Sequence, residues 1–309
     1  MKSASSLFVL GALLGCTGSL HSLRTVASQS ATPAGRSPVI VELFTSEGCS
    51  SCPPADALLS KLEVDQPIAG AEIIGLEEHV DYWNHDGWTD PYSSGEWTSR
   101  QQEYVTRLKS NSPYTPQMIV DGQKEFVGNH VREAEQTIQH SARQEKIGVA
   151  IAAGSSLKSS VLGFEVRVAD VRGAGEEEKS DVWLAVTEAG LRTAVSAGEN
   201  KGRSWEHASI VRSLQKIGSI SSNSSVPFLA RPQVKLRPSW KKENLRFVVF
   251  VQERRSWRIL GAAWASVACL RLDATVSEIL PWYRKDTGVI LLGFWSAWAI
   301  RKRIRSQRS

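Results

Sequence analysis

The sequence of 309 residues predicts an α/β domain over residues 38–146, followed by a mainly β domain over residues 147–268. Two observations support this prediction. In the first stretch, apolar runs rich in β-branched residues alternate with segments of helical spacing. In the second stretch, short runs of alternating polarity are separated by turns rich in Gly and Ser. The chain is long enough for two cores, because domains commonly span about 100–200 residues.

The first domain begins with an apolar run at residues 39–44, which predicts a buried strand. Cys49 and Cys52 follow, and the segment after them, residues 55–62, has helical spacing. Pro53 and Pro54 stand where a first helical turn tolerates missing N–H groups. They also disfavour helical geometry at Cys52, which favours a later helix start. The predicted order is strand, cysteine pair, helix.

The remaining elements of this domain follow from spacing and turn signals. A strand at 71–76, a loop rich in Trp from 79 to 97 and a helix at 95–109 come first. Next come a strand at 114–120, an Asp121-Gly122 turn, a return strand at 124–127 and a helix at 131–146. This β-α-β-α-β-β-α order is that of the thioredoxin fold.

The second domain has the pattern of a β-sandwich. Strands are predicted at residues 149–152, 161–169, 182–188, 245–252 and 258–265. One helix, at residues 206–217, is predicted to interrupt them.

The N-terminus predicts export. Lys2 followed by an apolar run at residues 7–14 has the length of a signal peptide and is too short to span a bilayer. Residues 1–16 end in a pattern that resembles a bacterial lipobox, with Cys16 as the lipidated residue; the alternative is cleavage further on, after Ala27. Residues 17–37 have the composition of a flexible linker. Either alternative predicts an extracytoplasmic, oxidising location.

The formal net charge of +5 belongs to the C-terminal segment, residues 269–309, whose eight Lys and Arg exceed its three acids by that amount. A nucleic-acid partner therefore has no support in the rest of the chain. The apolar residues 288–300 and the basic residues after them suit the surface of an anionic membrane. An extension with no role is the alternative.

The cysteine pair is the main candidate for chemistry. A helix N-terminus favours a thiolate, so Cys49 is the predicted nucleophile and Cys52 the resolving cysteine. Glu42 stands where thioredoxins keep a buried carboxylate, which predicts a proton-transfer role; pairing with Lys or Arg is the alternative. Thioredoxin-like proteins have a cis proline before this strand that holds an extended peptide beside the pair, which predicts a cis Thr115-Pro116 bond; a trans proline that starts the strand is the alternative.

Other interpretations of these residues remain open. Trp83 and Trp88 are predicted to line a groove for a peptide, or else to pack the loop onto its own domain. Cys49 and Cys52 also suit a copper or zinc site with His79 or His85. A purely structural disulfide is a further alternative, and Cys269 is assigned no role.

Several motifs resemble an uncharacterised family of secreted bacterial thioredoxin-like proteins, known as a domain of unknown function. The resemblance rests on the run at residues 41–56, VELFTSEGCSSCPPAD, and on HVDYW at 79–83, Gly87-Trp88, Asp90-Pro91, Arg100-Gln101, YTPQ at 114–117, VDG at 120–122, Gly198-Glu199-Asn200 and His207. It implies a thioredoxin-like fold and export, with no established substrate.

Together these features predict an extracytoplasmic protein similar to thiol–disulfide oxidoreductases. Its expected partner is a protein or peptide thiol or disulfide, and the reaction requires no cofactor. Membrane association is expected through lipidated Cys16 or through the C-terminal tail. The alternatives are a non-catalytic secreted binding protein with a structural disulfide, and a copper or zinc metallochaperone.

Overall fold

The computed structural model describes residues 35–85, 87–158, 160–169, 179–221 and 227–267. The predicted signal peptide or lipobox with Cys16, nearly all of the linker at 17–37, and the tail at 269–309 with Cys269 lie outside these residues. No helix in the described ranges is long and apolar enough to cross a membrane.

The first seven elements follow the predicted order. They are β1 (Ser37–Thr45), α1 (Pro53–Asp65), β2 (Ala71–His79), α2 (Gly95–Leu108), β3 (Gln117–Val120), β4 (Lys124–Val127) and α3 (Val131–Ala142). β1 pairs parallel with β2 and antiparallel with β3, and β3 pairs antiparallel with β4. The predicted Asp121-Gly122 turn joins β3 to β4, and both of its residues have a positive φ.

β1 is buried on both faces, which explains its almost continuous apolar sequence. Val39, Val41 and Leu43 share a core with side chains of α1 and α3. Ile40 and Phe44, which alternate with them, belong to two clusters on the other face. The residues directly after Thr45 therefore also lie in the interior of the protein.

Two helices position the residues discussed below. α1 begins at Pro53, and Cys52 has right-handed helical angles as its N-cap, so the expectation of a later start is wrong. Because Pro lacks an N–H that the first turn leaves unpaired, two prolines are accommodated there. α2 buries Trp97, Arg100, Gln101 and Tyr104, whose spacing defines one helical face.

The second half of the chain is built of strands. They are β5 (Val149–Lys158), β6 (Val161–Val168), β7 (Lys179–Glu188), β8 (Leu191–Ala194), β9 (Ser204–His207), β10 (Ile210–Ser221), β11 (Phe228–Ala230), β12 (Gln233–Lys235), β13 (Leu245–Glu253) and β14 (Ile259–Ser266). Strands of both halves form one eight-stranded sheet, in the order β14-β13-β7-β10-β2-β1-β3-β4. β5, β6, β11 and β12 form a second sheet, and side chains of both sheets share a core.

The predicted helix at residues 206–217 is wrong. This stretch contains the end of β9 and most of β10, which pairs antiparallel with β7. Two register shifts, between Val211 and Ser213 and between Lys216 and Gly218, interrupt the alternation of polarity. A bulge adds one residue to a strand, so a bulged strand loses its period of two and resembles a helix in sequence.

Candidate functional site

A disulfide joins Cys49 to Cys52 at the start of α1. The amide of Cys49 donates to Ser46 O, and the amide of Cys52 donates to Cys49 O, so a tight turn brings the cysteines together. Both cysteines are fully buried, while Ser50 and Ser51 between them are exposed. The backbone of the pair therefore reaches the surface, although its sulfurs do not.

A segment of the second half covers the disulfide. We name residues 191–207, which comprise β8, β9 and the loop between them, the cap. Trp205 of the cap packs on both cysteines, together with Trp83. Asn200 Nδ2 donates to Glu47 O and to Cys49 O, both at 2.9 Å. The cap thus separates the sulfurs from solvent.

Thr115 and Pro116 lie beside the cysteine turn. Their peptide bond is cis, as predicted. Ser51 Oγ lies 3.3 Å from Cys49 Sγ and 3.4 Å from Thr115 O. Trp83 Nε1 donates to Thr115 Oγ1 at 2.8 Å, so the tryptophan fixes this segment from the other side.

The two tryptophans predicted to line a groove make internal contacts. Trp83 bonds to Thr115 and packs on the disulfide. Trp88 Nε1 donates to Glu47 Oε2 at 3.0 Å. Both are half-buried, so each leaves part of its ring at the surface.

Glu42 is buried in an ion pair on the α2 side of the sheet. Arg100 donates to both of its carboxylate oxygens, at 3.0 and 2.9 Å, and Tyr104 OH donates to one of them at 2.8 Å. Among the described residues, no hydrogen bond links Glu42 to Cys49 or Cys52. The alternative of pairing with Arg is therefore the geometry observed, and the proton-transfer role stays a prediction.

A second group of polar side chains lies next to the disulfide. Two histidines and three acids, all buried, form what we name the acid–histidine cluster: Glu47, Glu77, His79, Asp90 and His207. Glu47 precedes the cysteine turn, and Glu77 and His79 end β2. His207 ends β9, and it reaches Glu77 because β10 joins the β2 edge at Ile210, opposite Glu77.

Each imidazole of the cluster lies between two carboxylates. His79 Nδ1 is 2.6 Å from Asp90 Oδ2, and its Nε2 is 3.1 Å from Glu77 Oε1. His207 Nδ1 is 2.6 Å from the same Glu77 oxygen, and its Nε2 is 3.0 Å from Glu47 Oε1. One oxygen of Glu77 thus bridges the two rings.

Asp56, on the first turn of α1, adds a further buried carboxylate. Neither of its oxygens has a hydrogen-bond partner of normal geometry, although the Thr45 hydroxyl is close enough to lower its pKa. Burial raises the pKa of Asp56 to about 7, and the charge of Glu77 acts in the same direction. The charges of His79 and His207 oppose this shift, so Asp56 interacts electrostatically with the cluster.

The pKa values of the cluster reflect its mutual attraction. Burial alone would raise the pKa of Glu77, but His207 and His79 hold it far below its usual range. Burial alone would lower the pKa values of the histidines. Asp90 and Glu77 raise that of His79 well above its usual value, and Glu77 and Glu47 raise that of His207 to about 9. The neighbouring carboxylates therefore favour the protonated form of both imidazoles.

The predicted set of Cys49, Cys52 and His79 is not brought together as a metal site. Both sulfurs are engaged in the disulfide, and both nitrogens of His79 contact acids. The sequence did not predict the cluster. Asp90 and His207 appear there only as parts of family motifs, and no role is predicted for Glu47, Asp56 or Glu77. The available signal was the run of acids in and around otherwise apolar strands.

One comparison with known proteins assigns a family, and this family has no assigned activity. A family model described as "Protein of unknown function (DUF1223)" matches residues 40–252. A crystal structure of an Agrobacterium tumefaciens protein is similar, with 30% identity, a TM-score of 0.55, and 75% of this chain and 95% of that chain covered.

A second solved structure, HBP35 of Porphyromonas gingivalis, has a TM-score of 0.54. The comparison covers 77% of each chain at 13% identity, so the likeness shows the fold alone. A search of curated proteins finds no match.

Proposed function

The chain belongs to the DUF1223 family of unknown function, and from its own geometry we propose that it is a thiol–disulfide oxidoreductase of thioredoxin-like fold. One observation supports this most: a Cys49–Cys52 disulfide at the first turn of α1, beside the Thr115 carbonyl. The β-α-β-α-β-β-α order of residues 37–142 supports the proposed fold.

The chemistry is an exchange of two electrons. In the reducing direction, the Cys49 thiolate attacks a substrate disulfide, forms a mixed disulfide and releases one substrate thiolate, which takes a proton. Cys52 loses its proton and attacks Cys49 Sγ, which releases the second substrate thiolate. The protein ends oxidised and the substrate ends as a dithiol. The reverse sequence oxidises a substrate dithiol.

The start of α1 suits Cys49 for the first step. The amides of Ala55 and Asp56 already bond to Cys52 O, at 2.8 and 3.2 Å, so the positive end of the helix faces the cysteine turn. This end favours a thiolate over a thiol.

The substrate class proposed is an extended peptide or protein segment. Exposed Ser51 and half-buried Thr115 border the turn, and Trp83 fixes the Thr115 side chain. A peptide laid along this edge would meet backbone groups as well as the aromatic surface of Trp83.

Trapping of a mixed disulfide tests the proposal. Cys52→Ser leaves Cys49 without its resolving partner, so incubation with oxidised glutathione is expected to place one glutathione on Cys49, located by peptide mass spectrometry. Cys49→Ser is the matched control and is expected to stay unmodified at Cys52. If neither variant reacts until urea unfolds it, the oxidoreductase proposal fails.

The burial of both sulfurs favours a second candidate, a binding protein with a structural disulfide. Such a disulfide stabilises the fold without exchanging, and its removal destabilises a protein by about 2–5 kcal/mol. It predicts reduction only upon global unfolding. The trapping experiment distinguishes the two candidates.

We also propose an extracytoplasmic location with membrane attachment through Cys16 or the C-terminal tail. The support is the N-terminal sequence pattern and a cysteine pair suited to an oxidising compartment. Fractionation of cells that produce the full chain or Cys16→Ser tests it. Release of the variant from the membrane fraction is the expected result, and its retention would favour the tail as anchor.

A further inference from the structure

The acid–histidine cluster has the composition of a metal centre. We propose that it binds one zinc ion through His79 Nε2, His207 Nδ1 and a carboxylate oxygen of Glu77, with Asp56 as the fourth ligand. This site is separate from the cysteine pair, and the proposal does not depend on the redox function.

Three of the four proposed ligands, Glu77, His79 and His207, are already assembled, and Asp56 lies outside this group. Glu77 Oε1 is 3.1 Å from His79 Nε2 and 2.6 Å from His207 Nδ1, and one ligand atom from each residue lies within 4.8 Å of the other two. Ligands about 2.0–2.1 Å from a tetrahedral zinc ion lie about 3.3 Å apart. Side-chain adjustments of less than about 1.5 Å would therefore admit the ion.

The outer residues match those that orient metal-bound histidines. The nitrogen of each imidazole that faces away from the proposed ion contacts a carboxylate, Asp90 for His79 and Glu47 for His207. Metal-binding histidines commonly donate their second N–H to a carboxylate in this way.

These two carboxylates are themselves held in place. Asp90 accepts from the amides of Glu47 and Tyr92, at 2.8 and 2.9 Å. Glu47 accepts from Trp88 Nε1. The orientation of both rings is thus fixed before any ion arrives, which lowers the cost of assembling the site.

Asp56 is an independent observation that points to a missing ligand. Its side chain is more than nine-tenths buried, and both oxygens lack a hydrogen-bond partner of normal geometry. A buried carboxylate without partners is costly. In the proposed site, an ion shared by Asp56 and Glu77 would satisfy both acids.

The charge balance also permits a dication, which would displace one proton from each imidazole and leave the net charge of the cluster unchanged. Four carboxylates (Glu47, Asp56, Glu77 and Asp90) surround two imidazoles, and no described Lys or Arg contacts any of the four. One dication offsets the charge of two of these carboxylates. Two imidazoles and two carboxylates form a nitrogen and oxygen set that suits zinc, without sulfur ligands.

The experiment uses the full chain, stripped with a chelator, with zinc chloride as the probe. Zinc is offered to the folded protein and also during refolding from urea with the disulfide intact, because the ligands are buried. Zinc per chain is measured by mass spectrometry after desalting. Cobalt(II) gives a second measurement, because tetrahedral coordination produces strong visible absorption.

Four variants separate this site from other zinc-binding groups. One zinc per chain is expected for wild type, for His130→Gln at an exposed histidine, and for Cys49→Ser/Cys52→Ser. His207→Gln is expected to lose the ion. Asp56→Asn, which keeps the shape of the side chain, is expected to bind at least about tenfold more weakly. Circular dichroism establishes that each variant is folded.

Several results would overturn the proposal. The absence of zinc by both routes would mean that the cluster is a network of protonated imidazoles paired with carboxylates. Zinc lost in the cysteine variant would place the ion on sulfur. An unchanged affinity in Asp56→Asn would remove Asp56 as a ligand, and this variant decides the result if His207→Gln does not fold.

Discussion

Replacing Asn200 by alanine is expected to accelerate reduction of the buried disulfide about 30-fold. In the closed structure the cap covers both sulfurs, so a reductant reaches them only after the cap opens. The rate of reduction then follows the fraction of molecules in which this segment is open. Glu199 and Asn200 of the cap loop both bond to the cysteine turn; Glu199 accepts one exposed bond from the Ser50 amide, and Asn200 makes two buried bonds.

The magnitude follows from two hydrogen bonds. Asn200 Nδ2 donates to Glu47 O and to Cys49 O, each at 2.9 Å, and Asn200 is 1% exposed. Each bond contributes about 1 kcal/mol net, so their loss favours opening by about 2 kcal/mol. Because about 1.4 kcal/mol changes an equilibrium tenfold, the open fraction rises about 30-fold.

The assay follows the appearance of free thiols under a large excess of a water-soluble phosphine. Asn111→Ala, at an exposed asparagine, is the matched control and is expected to react at the wild-type rate. Urea unfolding of each variant gives its global stability. The dependence of reduction on low urea concentrations distinguishes local opening, which has a shallow slope, from global unfolding, which has a steep one.

Two results would refute this reasoning. A rate for Asn200→Ala within twofold of wild type would mean that the side chain does not hold the cap closed. A urea slope equal to that of global unfolding would mean that reduction occurs only in the unfolded chain. The second result would also favour a structural disulfide.

Three further changes test the buried charges and the β3–β4 turn by urea unfolding. Burial raises the pKa of Glu63 to about 7 from its usual 4.5, so its ionisation destabilises the fold increasingly as pH rises through this interval. Glu63→Gln is therefore expected to raise the free energy of unfolding by about 3 kcal/mol at pH 8 and by less than about 1 kcal/mol at pH 5. Its partner Arg246 is one-third exposed, so its charge stays solvated when the pair is lost. Equal gains at the two pH values would contradict this explanation. Arg100→Met is expected to lower the free energy of unfolding by about 3–5 kcal/mol, because it leaves Glu42 charged and buried. The double variant Arg100→Met/Glu42→Leu should recover much of this loss. A double variant no more stable than Arg100→Met would refute the ion-pair explanation. Gly122→Ala is expected to cost more than about 1 kcal/mol, because φ is +69° and a Cβ would lie 2.1 Å from a backbone oxygen; a smaller loss would mean that the turn relaxes.

The local elements were predictable because their signals are local. Each signal predicts the backbone conformation of the residues that carry it. Examples are the apolar run of β1, the prolines that begin α1 and the Asp121-Gly122 turn. β10 was not predictable, because its two bulges break the alternation on which strand prediction depends. β8 and β9 lie in a stretch rich in turn residues, and their pairing is visible only in three dimensions.

The cysteine pair was predictable from the sequence and the acid–histidine cluster was not, for the same reason. Cys49 and Cys52 are three positions apart, so their relationship is evident in the sequence. His207 is 130 residues from Glu77 and 160 from Glu47, so no spacing rule connects them. Acids in a strand also suggest a solvated face, yet every residue of β2 is buried.

The cap links the disulfide to the proposed zinc site. His207 ends β9, and Asn200 and Trp205, which cover the disulfide, belong to the same segment. Opening the cap far enough to expose the sulfurs would withdraw His207 from Glu77. Zinc that binds only the closed form therefore opposes opening, and reduction is expected to slow about 100-fold at a free zinc concentration 100 times the Kd.

Thermodynamic linkage makes this coupling reciprocal, since a ligand that holds the cap closed must bind more weakly to a protein whose cap is loosened. Asn200→Ala is thus expected to bind zinc more weakly, because zinc binds only the fraction of molecules whose cap is closed. The loss of affinity becomes measurable once about half of the variant molecules have an open cap. The phosphine assay with and without zinc measures the coupling, and folded His207→Gln should show no effect of the ion. If zinc leaves the rate of wild type unchanged while one ion is bound, the cap opens without moving His207, and the two sites act independently.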